Sequence, residues 1–245
     1  MIDNLITTKE EIKTAITSRD IEVTDGMIKY GDFIRQIPSY YDIPGKLKFG
    51  DSDFTVGPDW DMTEYTNTGY MFNRCFYMTN IPLYNISNVT NTDTMFGDCE
   101  KLTTIPQLNT SKVKTGYSMF FHCIKLNNIP LLDFSSMTDS RYMFCNCSSL
   151  TNLEGFKNFG MQENLKTEDP DIIPINTWVP MFFGCTAITR QSCINIFNNL
   201  YDRASAGYSI VTISFESEVI ARLTDEDIAI AANKGWNITT IIHRE

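Results

Sequence analysis

The sequence predicts an α/β fold: a leucine-rich-repeat solenoid, preceded by a helical hairpin and closed by an α/β cap. Three observations predict it. A Met-Phe-x-x-Cys pentad occurs five times, at Met71, Met95, Met119, Met143 and Met181. The first four copies are 24 residues apart and the fifth follows after 38, one period plus an insertion of 14. Alignment on the Met brings the remaining apolar residues into register: Met78, Leu102, Leu126, Leu150 and Ile188 fall seven residues later, and Ile81, Ile105, Ile129 and Leu153 ten later. A fixed period of roughly 20–29 residues marks leucine-rich arrays, in which each repeat buries its apolar face only by stacking on the next.

Three segments follow, 1–38, 39–188 and 189–245. In the first, Thr8-Lys9-Glu10-Glu11 is a capping-box signature, with Ile12 and Ile16 at helical spacing behind it. Asp25-Gly26 interrupts, and Met27, Tyr30, Phe33, Ile34 and Ile37 form a second stripe stopped by Pro38. Two short helices bury little alone. They need the end of the solenoid or a partner chain, so this segment reads as an anchor through Ile12, Ile16, Tyr30, Phe33 and Ile34.

Residues 39–70 read as the opening cap: Leu47 and Phe49 alternate as a strand, and Phe54, Trp60 and Met62 supply bulk to close an apolar end. In each repeat the x-Leu-x-x-Ile-Pro segment is the strand. Pro82, Pro106 and Pro130 end it because proline cannot donate to a ladder, and Glu154 takes that position in the fourth copy. Thr79-Asn80, Thr103-Thr104, Asn127-Asn128 and Thr151-Asn152 then stack as polar columns at about 4.8 Å spacing. Asn80, Thr104, Asn128 and Asn152 are the candidate binding positions on the exposed strand flank. Within the pentad, Met, Phe and Cys face in and middle residues such as Gly97-Asp98 face out.

The polar run from Lys157 to Asn176 reads as a surface excursion and a second place to look for binding. Past it, Arg190 to Tyr201 carries Cys193, Phe197 and Leu200 on one helical face, and Val211, Ile213 and Phe215 alternate as a strand. Thr224-Asp225-Glu226-Asp227 opens another helix, Gly235 ends it, and Trp236, Ile238, Thr240 and Ile242 form a last strand.

Bulk composition excludes some functions. Net charge is −10, against the clustered cations that phosphate-backbone binding needs, so no nucleic-acid partner is expected. There is no apolar run of membrane-spanning length, and the first residues lack the features of a secretory signal. Five of the seven cysteines hold the last pentad position, which reads as a reduced core column rather than a disulfide framework.

The repeat Leu102-Thr-Thr-Ile105-Pro…Thr110-Ser111-Lys-Val113…Tyr117-Ser-Met119-Phe120-Phe-His-Cys123 resembles the BspA-like class of bacterial leucine-rich repeats over about residues 46–188. Residues 8–37 resemble N-terminal segments of tailed-phage structural proteins through Ile12, Ala15, Ile16, Tyr30 and Ile34. Asn198-Asn-Leu-Tyr-Asp202 followed by Leu223-Thr-Asp-Glu-Asp-Ile228-Ala-Ile-Ala-Ala-Asn-Lys-Gly235-Trp236 resembles the closing module of phage tail or fibre proteins. These resemblances imply a non-enzymatic virion protein assembled in the host cytoplasm. Its partners would be other virion proteins or further copies of itself, with a host receptor or glycan as a further ligand. The alternative they imply is a bacterial cell-surface adhesion protein.

Chemistry is sparse. His122 aligns with Arg74, Asp98, Asn146 and Gly184, as expected of an outward turn, and His243 lies near the end; neither has a nucleophile or carboxylate beside it in sequence. Cys145-Asn146-Cys147 lacks the other ligands of a zinc site. A third reading, a glycan-acting enzyme, rests only on scattered carboxylates such as Asp59 and Asp61. No catalytic residue, metal or cofactor is expected.

Overall fold

A computed structural model describes residues 55–56, 62–63, 65–167 and 180–242. The expectations for residues 1–38, for Leu47, Phe49, Phe54 and Trp60, for residues 168–176 and for His243 fall outside these residues.

From Thr68 to Lys166, and again at Met181 to Cys185, successive turns of chain lie in parallel register, joined by three columns of bridges. One column runs Val56↔Asn80 and Thr104↔Asn128, continued by β1 (Asn128–Ile129) against β3 (Asn152–Leu153). A second pairs β2 (Leu132–Asp133) with β4 (Phe156–Lys157). The third runs Asn67↔Asn91↔Thr115↔Asp139↔Lys166. The strands are two residues long; Pro130 follows β1 at once and withholds a donor.

The pentad turn is held by two left-handed positions. Tyr70, Thr94, Ser118 and Tyr142 before the Met have φ of 53–62°, and Arg74, Asp98, His122 and Asn146 at the fourth pentad position have φ of 57–63°. Such a conformation costs a non-glycine residue roughly 1 kcal/mol. At the fourth position it aims each N–H along the stack: Arg74 N donates to Gly97 O at 2.7 Å, Asp98 N to Phe121 O at 2.7 Å and His122 N to Cys145 O at 2.7 Å.

Inside, the pentad side chains form continuous columns. Phe72, Phe96, Phe120, Phe144 and Phe182 stack with ring centroids 5.4–5.6 Å apart and planes within 7° of parallel. This offset geometry adds to the burial of each ring. The thiols of Cys99, Cys123, Cys147 and Cys185 donate to the carbonyls of Phe72, Phe96, Phe120 and Phe144 at 2.9–3.1 Å. All seven cysteines are free and buried. Gly97, expected to face out, is buried instead. A Cβ there would meet Thr94 Cγ2 at 2.5 Å and Asn73 Oδ1 at 3.0 Å, so a larger residue in this turn would have to displace the Thr94 side chain.

The closing module is α1 (Arg190–Asn199), β5 (Val211–Phe215), α2 (Ser217–Ile220), α3 (Asp225–Ala232) and β6 (Trp236–Thr240). β5 and β6 pair in parallel from Val211↔Trp236 to Phe215↔Thr240, with α2 and α3 forming the crossover. Phe215 continues the ring column, 4.9 Å from Phe182. The Gly184 N–H, which in earlier copies would meet the carbonyl of the next turn, donates to the Glu216 carboxylate at 2.6 Å. A ring and a carboxylate thus replace the missing next turn.

Candidate interaction surface

Within each turn the residues seven and ten after the Met are buried and the two between them face outward. Met78, Leu102, Leu126 and Leu150 lie beneath on one side, and Ile81, Ile105, Ile129 and Leu153 on the other. The chain must arch over this apolar layer, which leaves Thr79-Asn80, Thr103-Thr104, Asn127-Asn128 and Thr151-Asn152 outside.

The structure brings all four predicted binding residues together. Asn80 bridges to Val56, and Thr104, Asn128 and Asn152 occupy successive bridge positions. Asn80, Thr104 and Asn152 are exposed, and Asn128 is half-buried. The column beside them is satisfied mainly by backbone acceptors. Thr79, Thr103, Thr151 and Thr189 each donate their hydroxyl to a backbone carbonyl one turn earlier, those of Thr55, Thr79, Asn127 and Thr151, at 2.9–3.3 Å. A hydroxyl has one proton, so what remains outward is its acceptor capacity. The Asn80, Asn128 and Asn152 amides hold no hydrogen bond among the described residues and keep both functions.

None of these eight residues is charged, although the chain carries 20 Lys and Arg and 30 Asp and Glu. At the far end Arg190 takes the Asn position, where Asp227 neutralises it through Nε–Oδ2 at 2.7 Å and Nη2–Oδ1 at 2.9 Å.

Other candidates are less well placed for chemistry. His122 Nδ1 lies 3.1 Å from Asp98 Oδ1, with Arg74 Nε 3.8 Å from Asp98 Oδ2. These residues hold the same pentad position one period apart, so the alignment that stacks the turns also brings them together, and the contact ties successive turns. Five of the cysteines are poor nucleophiles and ligands: burial pushes the thiols of Cys99, Cys123 and Cys147 well up, and those of Cys145 and Cys193 to about 12. Among the described residues no group of three or more His, Cys, Asp or Glu could hold a metal ion. No helix there is long and apolar enough to cross a membrane. The anchoring residues Ile12, Ile16, Tyr30, Phe33 and Ile34 fall outside the described residues.

Sequence reasoning missed two structural cations. Arg203 is fully buried, and its guanidinium donates to the carbonyls of Ser209, Gly160, Gln162 and Glu163 at 2.7–3.0 Å. Burial holds it below its ordinary pKa. Lys234 donates to Phe197 O, Asn198 O and Leu200 O at 2.7–3.2 Å, capping the carbonyl end of α1 from outside the helix.

Against known proteins, residues 49–159 match a family described as "Mycoplasma protein of unknown function, DUF285". The match spans less than half of the chain and includes the first four pentads. No curated protein and no solved structure matches.

Proposed function

We propose that this chain is a non-enzymatic interaction protein: a BspA-like leucine-rich-repeat solenoid that presents its Asn/Thr face to a partner. In this reading residues 1–38 hold it in a larger assembly, a tailed-phage virion. The observation carrying it is the register of Asn80, Thr104, Asn128 and Asn152, which repeats one recognition element along a neutral face. The 24-residue offset of the parallel hydrogen bonds supports the solenoid. The virion placement rests on the resemblances of residues 8–37 and 198–236.

The test is incorporation. Tagged full-length chain and a deletion of residues 1–38 are expressed during phage production, and purified particles are probed for each. Presence of the full chain and loss of the deleted one supports the reading; equal incorporation removes the anchoring role. A second reading, a bacterial surface protein, is favoured by the cellular origin of the matched family. Recovery of the chain on intact cells and in no particle would establish it in place of the first.

A further inference from the structure

We infer that the Asn/Thr face binds an uncharged polysaccharide laid along the stack. This rests on the surface reading above and names its ligand class from the donors and acceptors that the face leaves free. One column offers acceptors at three of its four positions, because the Thr79, Thr103 and Thr151 hydroxyls have given their protons to backbone carbonyls, and an amide at the fourth, Asn127. The adjacent column offers amides at Asn80, Asn128 and Asn152, each with two donors and an acceptor. A ligand that satisfies both columns must donate and accept at short intervals along its length, as sugar hydroxyls do.

Charge and shape narrow the class. The eight outward residues are neutral and Arg190 at the end is held by Asp227, so among the described residues a polyanion would meet only Lys101 and Lys125, which stand two residues before Thr103 and Asn127 at the edge of the face. A charged peptide laid over the columns themselves would give up hydration against neutral residues. An apolar peptide side chain finds little to pack on, because the apolar columns on both sides, Met78 to Leu150 and Ile81 to Leu153, are buried beneath the surface and, of the bridge positions in line with the amides, Val56 is the apolar one exposed among the described residues. Equivalent positions recur at the inter-strand spacing, about 4.8 Å, close to the length of one sugar unit in an extended chain, with amides at Asn80, Asn128 and Asn152 and a hydroxyl at Thr104. Each turn can therefore meet one unit.

The experiment titrates full-length protein, labelled for side-chain amide NMR, with a linear β-glucan, a mannan and a polyuronate at low and high salt. A neutral polysaccharide is expected to shift the side-chain amides of Asn80, Asn128 and Asn152, with affinity changing less than about twofold with salt. The triple variant Asn80→Ala, Asn128→Ala, Asn152→Ala, with its thermal transition checked against the parent, should bind about tenfold more weakly or worse. Lys125→Ala, a loss of exposed charge, should bind as the parent does. Binding of the polyuronate alone, or neutral binding that survives the triple variant, overturns the inference. If a virion or host protein shifts these amides and no polysaccharide does, the surface reading stands and the sugar is wrong. If neither sugars nor these proteins move them, both fall.

Discussion

Between Phe72 and Phe182 each pentad phenylalanine ring rests on the ring of the turn before, and each pentad thiol after Cys75 bonds a carbonyl one turn back. After Thr189 the decisive contacts occur once: Arg203 in a cage of carbonyls, Lys234 on the end of α1, and Arg190 against Asp227. The stack gains stability by nearest-neighbour repetition, so any one turn is replaceable in kind. The closing module depends on individual polar groups, each of which leaves several partners unsatisfied if lost. The difference follows from position. A repeat has an identical neighbour to pair with, whereas an end must supply unlike groups to stop the pairing.

The largest effect is expected where the column is continuous on both sides. Phe120 lies between Phe96 and Phe144, 5.5 and 5.4 Å away, and is fully buried. Phe120→Ala should cost about 3–5 kcal/mol in denaturant unfolding. It should also make the neighbouring thiols Cys99, Cys123 and Cys147 the first to react with a thiol reagent. A loss nearer 1 kcal/mol, with those thiols still protected, would show that the rings do not act as a column.

Arg203→Met sharpens the contrast from the other side. It keeps much of the buried volume but leaves the carbonyls of Gly160, Gln162, Glu163 and Ser209 without their donor. At about 1 kcal/mol for the buried Gly160 carbonyl and somewhat less for each of the three part-buried ones, a loss of about 3 kcal/mol is expected. Limited proteolysis should open residues 160–167 first, while the pentad thiols stay protected. Early exposure of Cys123 would mean that the module and the stack unfold together, and the distinction drawn here would not hold.

Legibility in the sequence divides along the same line. The inward Met, Phe and Cys columns could be read directly, because identical residues at a fixed period have only one way to stack. The outward column at Asn80, Thr104, Asn128 and Asn152 could be read from the same alignment, and so could the capping box of α3, formed by Thr224 and Asp227. The turn interior could not. Gly97 gave no sign that Thr94 and Asn73 crowd it, and the positive φ values at Tyr70, Thr94 and Tyr142 fall on residues that do not favour them. Nor could Arg203 and Lys234, whose acceptors are backbone carbonyls and so leave no mark on residue identity.

The smallest effect expected is one of pH, and it too separates the regions. In the closing module Asp227 is held below the ordinary carboxylate range, first by the Arg190 guanidinium and then by the Thr224 N–H, and Glu226 and Asp202 are lowered by Thr224 and Ser205. In the stack, burial works against Asp133, but bonds from Ser135 and Lys157 still lower it. For a carboxylate whose folded pKa is depressed, the folded state binds fewer protons than the unfolded chain. Its contribution is therefore complete above the unfolded value, near 4, and is lost as pH falls through the folded value. Acidification below about pH 4 should accordingly raise hydrogen exchange in β5 and β6 before it does so in the pentad turns. Asp227→Asn should be less stable than the parent at neutral pH, with the gap closing as acid protonates the parent's Asp227. A gap that stays constant from neutral pH to about pH 2 would mean that the Arg190–Asp227 pair contributes shape rather than charge to the module.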